Sequence, residues 1–131
     1  MSDYLLDSSV QINALRRSPH TQTVLGNLVL SHRLCGCDVT IREVYAGMRP
    51  HEQQNTEAFL QSLYYLPTSR AIAELAGQWQ YQYRRTGTQL SLPDVLIAAT
   101  AYGHGAVLLT ANPRHFPMPG LVVKTVPFSV P

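Results

Sequence analysis

Lysine is almost missing from this chain. Lys124 is the single lysine among ten basic residues, and acids number only eight in 131 residues. The net charge of +2 is too small to argue for nucleic-acid binding by itself. Arginine forks match phosphate geometry, but a GC-rich genome biases the count the same way, and we attribute the arginine excess to composition. Cysteine is scarce too, with only Cys35 and Cys37. One intervening residue argues against a mutual disulfide, on the reading that an extended C-x-C sends its side chains to opposite faces. No further cysteine completes a zinc set, so two buried thiols in a reducing compartment are expected. Long apolar runs are absent: no stretch approaches the roughly 20 residues of a membrane span. The opening MSDYLLDSSV has no basic n-region and no long apolar core, so no signal peptide and a cytosolic location are expected. Repeats, low-complexity segments and linkers are also lacking. With 45% hydrophobic and 14% charged residues, a single folded domain over residues 1–131 is expected.

The most informative stretch runs from Gln89 to Phe116. Ser91, Leu92, Pro93 and Asp94 spell a helix start: a serine cap, a proline in the first turn and an acid three residues after the cap. Val95, Leu96, Ala98, Ala99 and Tyr102 carry an apolar face at helical spacing, and Gly103 and Gly105 stop the helix. Ala106–Leu109 reads as a buried strand, with a polar loop at Thr110–Arg114. Upstream, Tyr4–Leu6 reads as a strand ending at Asp7, followed by a helix over Val10–Leu15 and a second over Thr21–His32. Leu34–Val39 is the next strand. Thr40 then reads as an N-cap with Glu43 as its reciprocal partner. Glu52–Tyr65 reads as a helix closed by Pro67, and Ser69 caps a long helix reaching about Arg85. Leu121–Val126 is a last strand. Apolar strands alternating with helices predict an α/β fold with a mainly parallel central sheet.

Three of the eight acids fall at element boundaries on the carboxyl edge of that sheet. Asp7 lies just past the first strand, and Glu43 and Asp94 lie in the first turns of helices. Each has a local explanation: a turn for Asp7, a capping box for Glu43 and the helix dipole for Asp94. Together they repel one another unless a cation neutralises them, and hard cations such as Mg²⁺ or Mn²⁺ take oxygen ligands of this kind. Asn112 would add a neutral amide oxygen at the same edge.

The segments YLLDSSV (4–10), TIREVYAG (40–47) and LPDVLIAATAYGHGAVLLTANPRHF (92–116) resemble the three signature blocks of the PIN domain, above all those of VapC-type toxins of bacterial toxin–antitoxin pairs. The resemblance runs in register from Tyr4 to about Val123. It implies a three-layer fold with helices on both faces of the sheet. It also implies a metal-dependent ribonuclease whose Asp7, Glu43 and Asp94 hold Mg²⁺ or Mn²⁺, a homodimer, and a cognate antitoxin that covers the site. Ser8 matches a small hydroxyl residue that supports the first carboxylate. Asn112 and His115 stand in the loop where relatives often carry a further acid, which leaves one or two metals open. The implied reaction is hydrolysis of an RNA phosphodiester by a metal-activated water, with Glu43 as a ligand or as a group that orients the water.

Arg114 and His115 are the residues of this loop that would meet RNA. Arg84 and Arg85 answer the dipole at the end of a helix. Trp79, Tyr83, Phe59 and Tyr64 read as core, and Lys124 as solvated surface. The five histidines show no metal-ligand spacing. A catalytically inactive PIN-like module that binds RNA or protein is the alternative reading.

Overall fold

The computed structural model describes residues 2–126. Five strands form one sheet: β1 (Asp3–Leu6), β2 (Arg33–Cys37), β3 (Tyr64–Leu66), β4 (Val107–Thr110) and β5 (Val123–Thr125). Their spatial order is β3-β2-β1-β4-β5, and every neighbouring pair is parallel. Six α-helices connect them: α1 (Ser8–Leu15), α2 (Pro19–Leu28), α3 (Asp38–Gly47), α4 (Gln53–Ser62), α5 (Arg70–Arg85) and α6 (Leu92–Gly103). The expected α/β fold is present, with an all-parallel sheet.

Side-chain alternation along the strands builds two cores. Leu5 and Leu108 face one side, where Ile72 and Trp79 of α5 and Val95 and Ala98 of α6 cover them. Tyr4, Leu6 and Leu109 face the other side, against Val10 and Ala14 of α1 and Leu25 of α2. Helix α6 is buried on more than one stripe, since Val95, Ile97, Ala98, Ala99, Thr100 and Ala101 are all inside. Tyr102, expected on its apolar face, is exposed. The small residues of α6 let α5 and the sheet approach it from both sides.

Several expectations are corrected. Cys35 and Cys37 are free and buried in the same core. Residues two apart on a strand share a face, so they do not point oppositely as expected. Their Cα atoms, about 6.6 Å apart at the usual strand rise, lie near the upper limit for a disulfide. Burial pushes the Cys35 thiol up to about 11 and raises that of Cys37, so both are inert.

The segment Tyr64–Leu66 is a strand rather than the end of a helix. Leu63 and Tyr64 continue the helical spacing, but pairing of Tyr64 with Cys35 draws the chain into the sheet. Tyr64 is exposed on this edge instead of in the core. Helix α2 begins at Pro19, in the first-turn position proline prefers, and ends at Leu28. Val29, the C-cap of this helix, is solvent-exposed. Lys124 is not simply solvated: its Nζ donates to the Tyr4 hydroxyl at 3.0 Å, tying β5 back to β1.

The contact between α5 and α6 has little slack. A Cβ at Gly103 would stand 2.7 Å from Cγ1 of buried Ile72. Gly103→Ala gains helix propensity of up to about 1 kcal/mol but overpacks this contact, which costs about 1–3 kcal/mol. A net loss of stability is expected in urea unfolding. A variant more stable than wild type would show that α5 yields freely.

Candidate acidic site at the switch point of the sheet

The strand order reverses direction between β1 and β4. From β1 the chain steps outward through β2 to β3, and it later returns to the other side at β4 and β5. Ligands of open parallel sheets bind at the carboxyl ends of the strands flanking such a point. Asp7 is the first residue after β1, and Thr110 is the last of β4. The Asp7 amide donates to the Leu109 carbonyl at 3.0 Å, which fixes the two strand ends together.

Asp7 is the N-cap of α1, so the turn expected of it is present. Its Oδ1 accepts from the Val10 amide at 3.0 Å and from the Ser9 hydroxyl at 2.6 Å. Its Oδ2 accepts from the Thr110 hydroxyl. The carboxylate is 5% exposed. Burial pushes its pKa up, the bonds from Ser9, Thr110 and Val10 oppose the rise, and the nearby charge of Asp94 adds to it. Asp7 and Asp94 therefore share one electrostatic environment.

Glu43 reaches the site differently from the sequence expectation. Helix α3 starts at Asp38 with Cys37 as its N-cap, so Thr40 is the third helical residue and not the cap. Its hydroxyl accepts from the Cys37 amide at 3.0 Å. Glu43 is thus no partner of a capping box. It accepts instead from the Ser8 hydroxyl, 35 residues away in sequence. Its other oxygen lies 3.8 Å from an Arg42 guanidinium nitrogen. The Ser8 hydroxyl, expected to support Asp7, therefore serves Glu43 instead. As the first residue of α1 it points across to α3, whereas Ser9 turns back onto its own cap.

Asp94 sits in the first turn of α6, with its amide donating to Ser91 Oγ at 3.2 Å. The helix dipole favours its charge there. His115 Nδ1 lies 3.4 Å from Asp94 Oδ2. His115 belongs to a single 3₁₀ turn, Pro113–His115, anchored by buried Phe116. The Asn112 amide donates to Thr110 Oγ1 at 2.9 Å, so Asn112 joins the site through its backbone. Exposed Arg114 lines the adjoining cleft of about 260 Å³ with Asn112 and His115.

Thr110 and Ser9 are the participants that sequence reading passed over. The parallel register Leu6↔Leu109 puts position 110 opposite position 7, and that register is the signal that finds Thr110. Gln11 is a third: fully buried, it donates to the Leu6 carbonyl at 2.9 Å and holds the end of β1.

The donor chemistry fits a hard divalent cation: carboxylate oxygens of Asp7, Asp94 and Glu43, with hydroxyls around them. Among the described residues, however, no three His, Cys, Asp or Glu side chains stand assembled as a metal group. Asp7 carries no cationic partner in the described ion pairs, whereas Glu43 lies beside Arg42 and Asp94 beside the His115 ring. A larger groove of about 600 Å³ lies elsewhere, between α2, α4 and the starts of β2 and β3. No acid lines it, so we assign the chemistry to the carboxylates at the switch point.

The PIN domain family model matches residues 4–119 of this chain. The chain belongs to the PIN-domain family. It is homologous to VapC ribonucleases. Ribonuclease VapC19 of Mycobacterium tuberculosis is 33% identical over 115 residues, covering 87% of this chain and 92% of that protein. Ribonuclease VapC10 of the same organism is 35% identical over 127 residues, covering 97% and 94%. Among solved structures, the DNA-bound VapBC of Salmonella typhimurium aligns with a TM-score of 0.83 at 25% identity, over 95% of this chain and 98% of that chain.

The raised pKa of Asp7 predicts a pH dependence of stability. Its folded pKa lies above the unfolded value, so between the two the folded state binds more protons. This contribution is present below the unfolded value, about 3.9, and is lost as pH rises through the folded pKa. Asp7→Asn, which carries no charge, is expected to melt above wild type at pH 7, with the difference shrinking toward pH 4. Thermal unfolding across that range tests it, and a pH-independent difference would contradict it.

Proposed function

We propose that this chain is the toxin of a toxin–antitoxin pair, a VapC-type endoribonuclease that hydrolyses RNA phosphodiester bonds with Mg²⁺ or Mn²⁺. The observation that carries this reading is the buried Asp7 carboxylate at the switch point, with the charge of Asp94 acting on it. Maintaining two neighbouring acids, one of them desolvated, is unfavourable unless a cation joins them. The 33–35% identity to curated ribonucleases over most of the chain points the same way.

In this mechanism Asp7 and Asp94 would hold the cation, and Glu43 would be a further ligand or would orient the attacking water. When bound, the cation acidifies a water and stabilises the negative charge that develops at the phosphate. Ser9 and Thr110 fix Asp7 in one rotamer by donating to its two oxygens. Ser8 holds Glu43 from the start of α1, so the geometry of α1 sets two of the three acids. Asn112 stands at the same edge and would supply a neutral oxygen donor. Arg114, exposed beside the cleft, contacts the RNA backbone without reading bases.

The chain acts as a single domain in the cytoplasm, as a homodimer, and is held inactive by a cognate antitoxin. Support for the antitoxin is that the structural relatives are toxin–antitoxin complexes, among them one from Klebsiella pneumoniae at 26% identity and a TM-score of 0.75. No helix among the described residues is long and apolar enough to cross a membrane.

One observation favours the alternative of an inactive binding module: the absence of a preassembled three-donor group. A panel of tRNAs and rRNA fragments incubated with Mg²⁺, Mn²⁺ or EDTA decides between them. A discrete metal-dependent product is expected. Asp94→Ala should lower its rate about a hundredfold or more, the scale of several kcal/mol of lost charge stabilisation. Ser8→Ala should cost about tenfold, as loss of a group that orients a ligand does. RNA bound but never cut by folded, antitoxin-free protein would leave the binding module.

A further inference from the structure

The loop after β4 brings one side chain to the acids that is not an acid. From Val95 to Pro131 the sequence contains no Asp or Glu. Any donor which that part of the chain adds to the centre must be neutral or basic. Of the two histidines in the segment, His104 is committed elsewhere, with Nε2 2.9 Å from the Pro67 carbonyl. His115 instead faces Asp94, Nδ1 to Oδ2, at 3.4 Å.

That separation has a second meaning beside an ion pair. Neighbouring ligands on an octahedral ion, each about 2.1 Å from the metal, stand about 3 Å apart. The Asp94 oxygen and the His115 nitrogen are thus spaced almost as two adjacent ligands of one ion would be. The position is held by the backbone: the His115 amide donates to the Asn112 carbonyl at 3.1 Å, the Asn112 amide is tied to Thr110, and Phe116 is buried. Thr110 in turn bonds Asp7. The imidazole is therefore indexed to the carboxylate centre through a short chain of bonds.

We propose that His115 is a nitrogen ligand of the divalent cation, which makes the centre a mixed oxygen–nitrogen site that prefers Mn²⁺ to Mg²⁺. The inference rests on the metal-dependent reading above and specifies its ligand set. Mg²⁺ keeps oxygen ligands and gives up water reluctantly, whereas imidazole suits first-row transition ions. A neutral imidazole also adds no negative charge to the site, so it strengthens the hold on Mg²⁺ little.

The test uses full-length protein and Mn²⁺ itself as the probe. Pulsed electron paramagnetic resonance of bound Mn²⁺ reports imidazole nitrogen in the coordination shell. Imidazole-type ¹⁴N modulation is expected in wild type and in His104→Ala, and is expected to vanish in His115→Ala. Calorimetric titration should show His115→Ala binding Mn²⁺ about tenfold more weakly, with Mg²⁺ affinity changed less than about twofold. Bound Mn²⁺ without nitrogen modulation, or modulation that survives His115→Ala, overturns the proposal and leaves the oxygen-ligated centre standing. Asp94→Asn separates the two levels: if wild type binds no Mn²⁺, or binding survives Asp94→Asn, the metal centre itself is refuted, and this proposal with it.

Discussion

A desolvated carboxylate cannot be left without compensation, and the compensation of Asp7 organises this molecule. Its oxygens draw in the Ser9 and Thr110 hydroxyls and the Val10 amide. Those bonds join the end of β1, the first turn of α1 and the end of β4. The Asp7 amide and the Leu109 carbonyl close the same joint from the backbone side. One side chain thus acts as helix cap, strand clamp and charged centre at once. The capping bond alone contributes about 1 kcal/mol, and the buried charge opposes it. Stability is an incomplete explanation of an acid here, where an asparagine would also cap.

The other two acids arrive on separate helices, and each is steadied by something other than Asp7. Ser8 reaches Glu43 on α3, and His115 reaches Asp94 on α6. The three carboxylates are therefore positioned by contacts that do not require them to touch. This arrangement gives each like charge a partner of its own. It also makes the site sensitive to small shifts of α1 against α3, since the Ser8–Glu43 bond spans that gap.

Much of this was legible in the sequence where local chemistry governs. The cap at Ser91, the first-turn proline of α6, the cap at Ser69 and the left-handed Gly105 just past α6 each follow from one residue's local preference. The positions of Asp7 and Asp94 at element boundaries followed from the same signals. Reading failed where distant partners decide. Tyr64–Leu66 takes its strand conformation from β2, and no three-residue window reveals that. Thr40 resembles a cap, but the true cap lies three residues earlier, and this changes the meaning of Glu43. Ser9, and not Ser8 as expected, supports Asp7, because adjacent residues on a helix face different directions. Thr110 needed the β1–β4 register, which is a property of the sheet and not of either strand.

The two borders of the sheet are three residues long each, Tyr64–Leu66 and Val123–Thr125. Lys124 is turned in onto Tyr4 at one of them, and Tyr64 stacks under the Arg33 guanidinium at the other. Such stubs expose few free amides and carbonyls, so an added strand would find little backbone to zip onto. Assembly by extending the sheet, the route that leads to fibres and to donor-strand exchange, is therefore poorly supported by this architecture. A protein partner of this chain would find helices and loops, more than a sheet edge, to grip through side chains. Its specificity then resides in shape and charge, which can diverge between related pairs without disturbing the strands that carry the carboxylates.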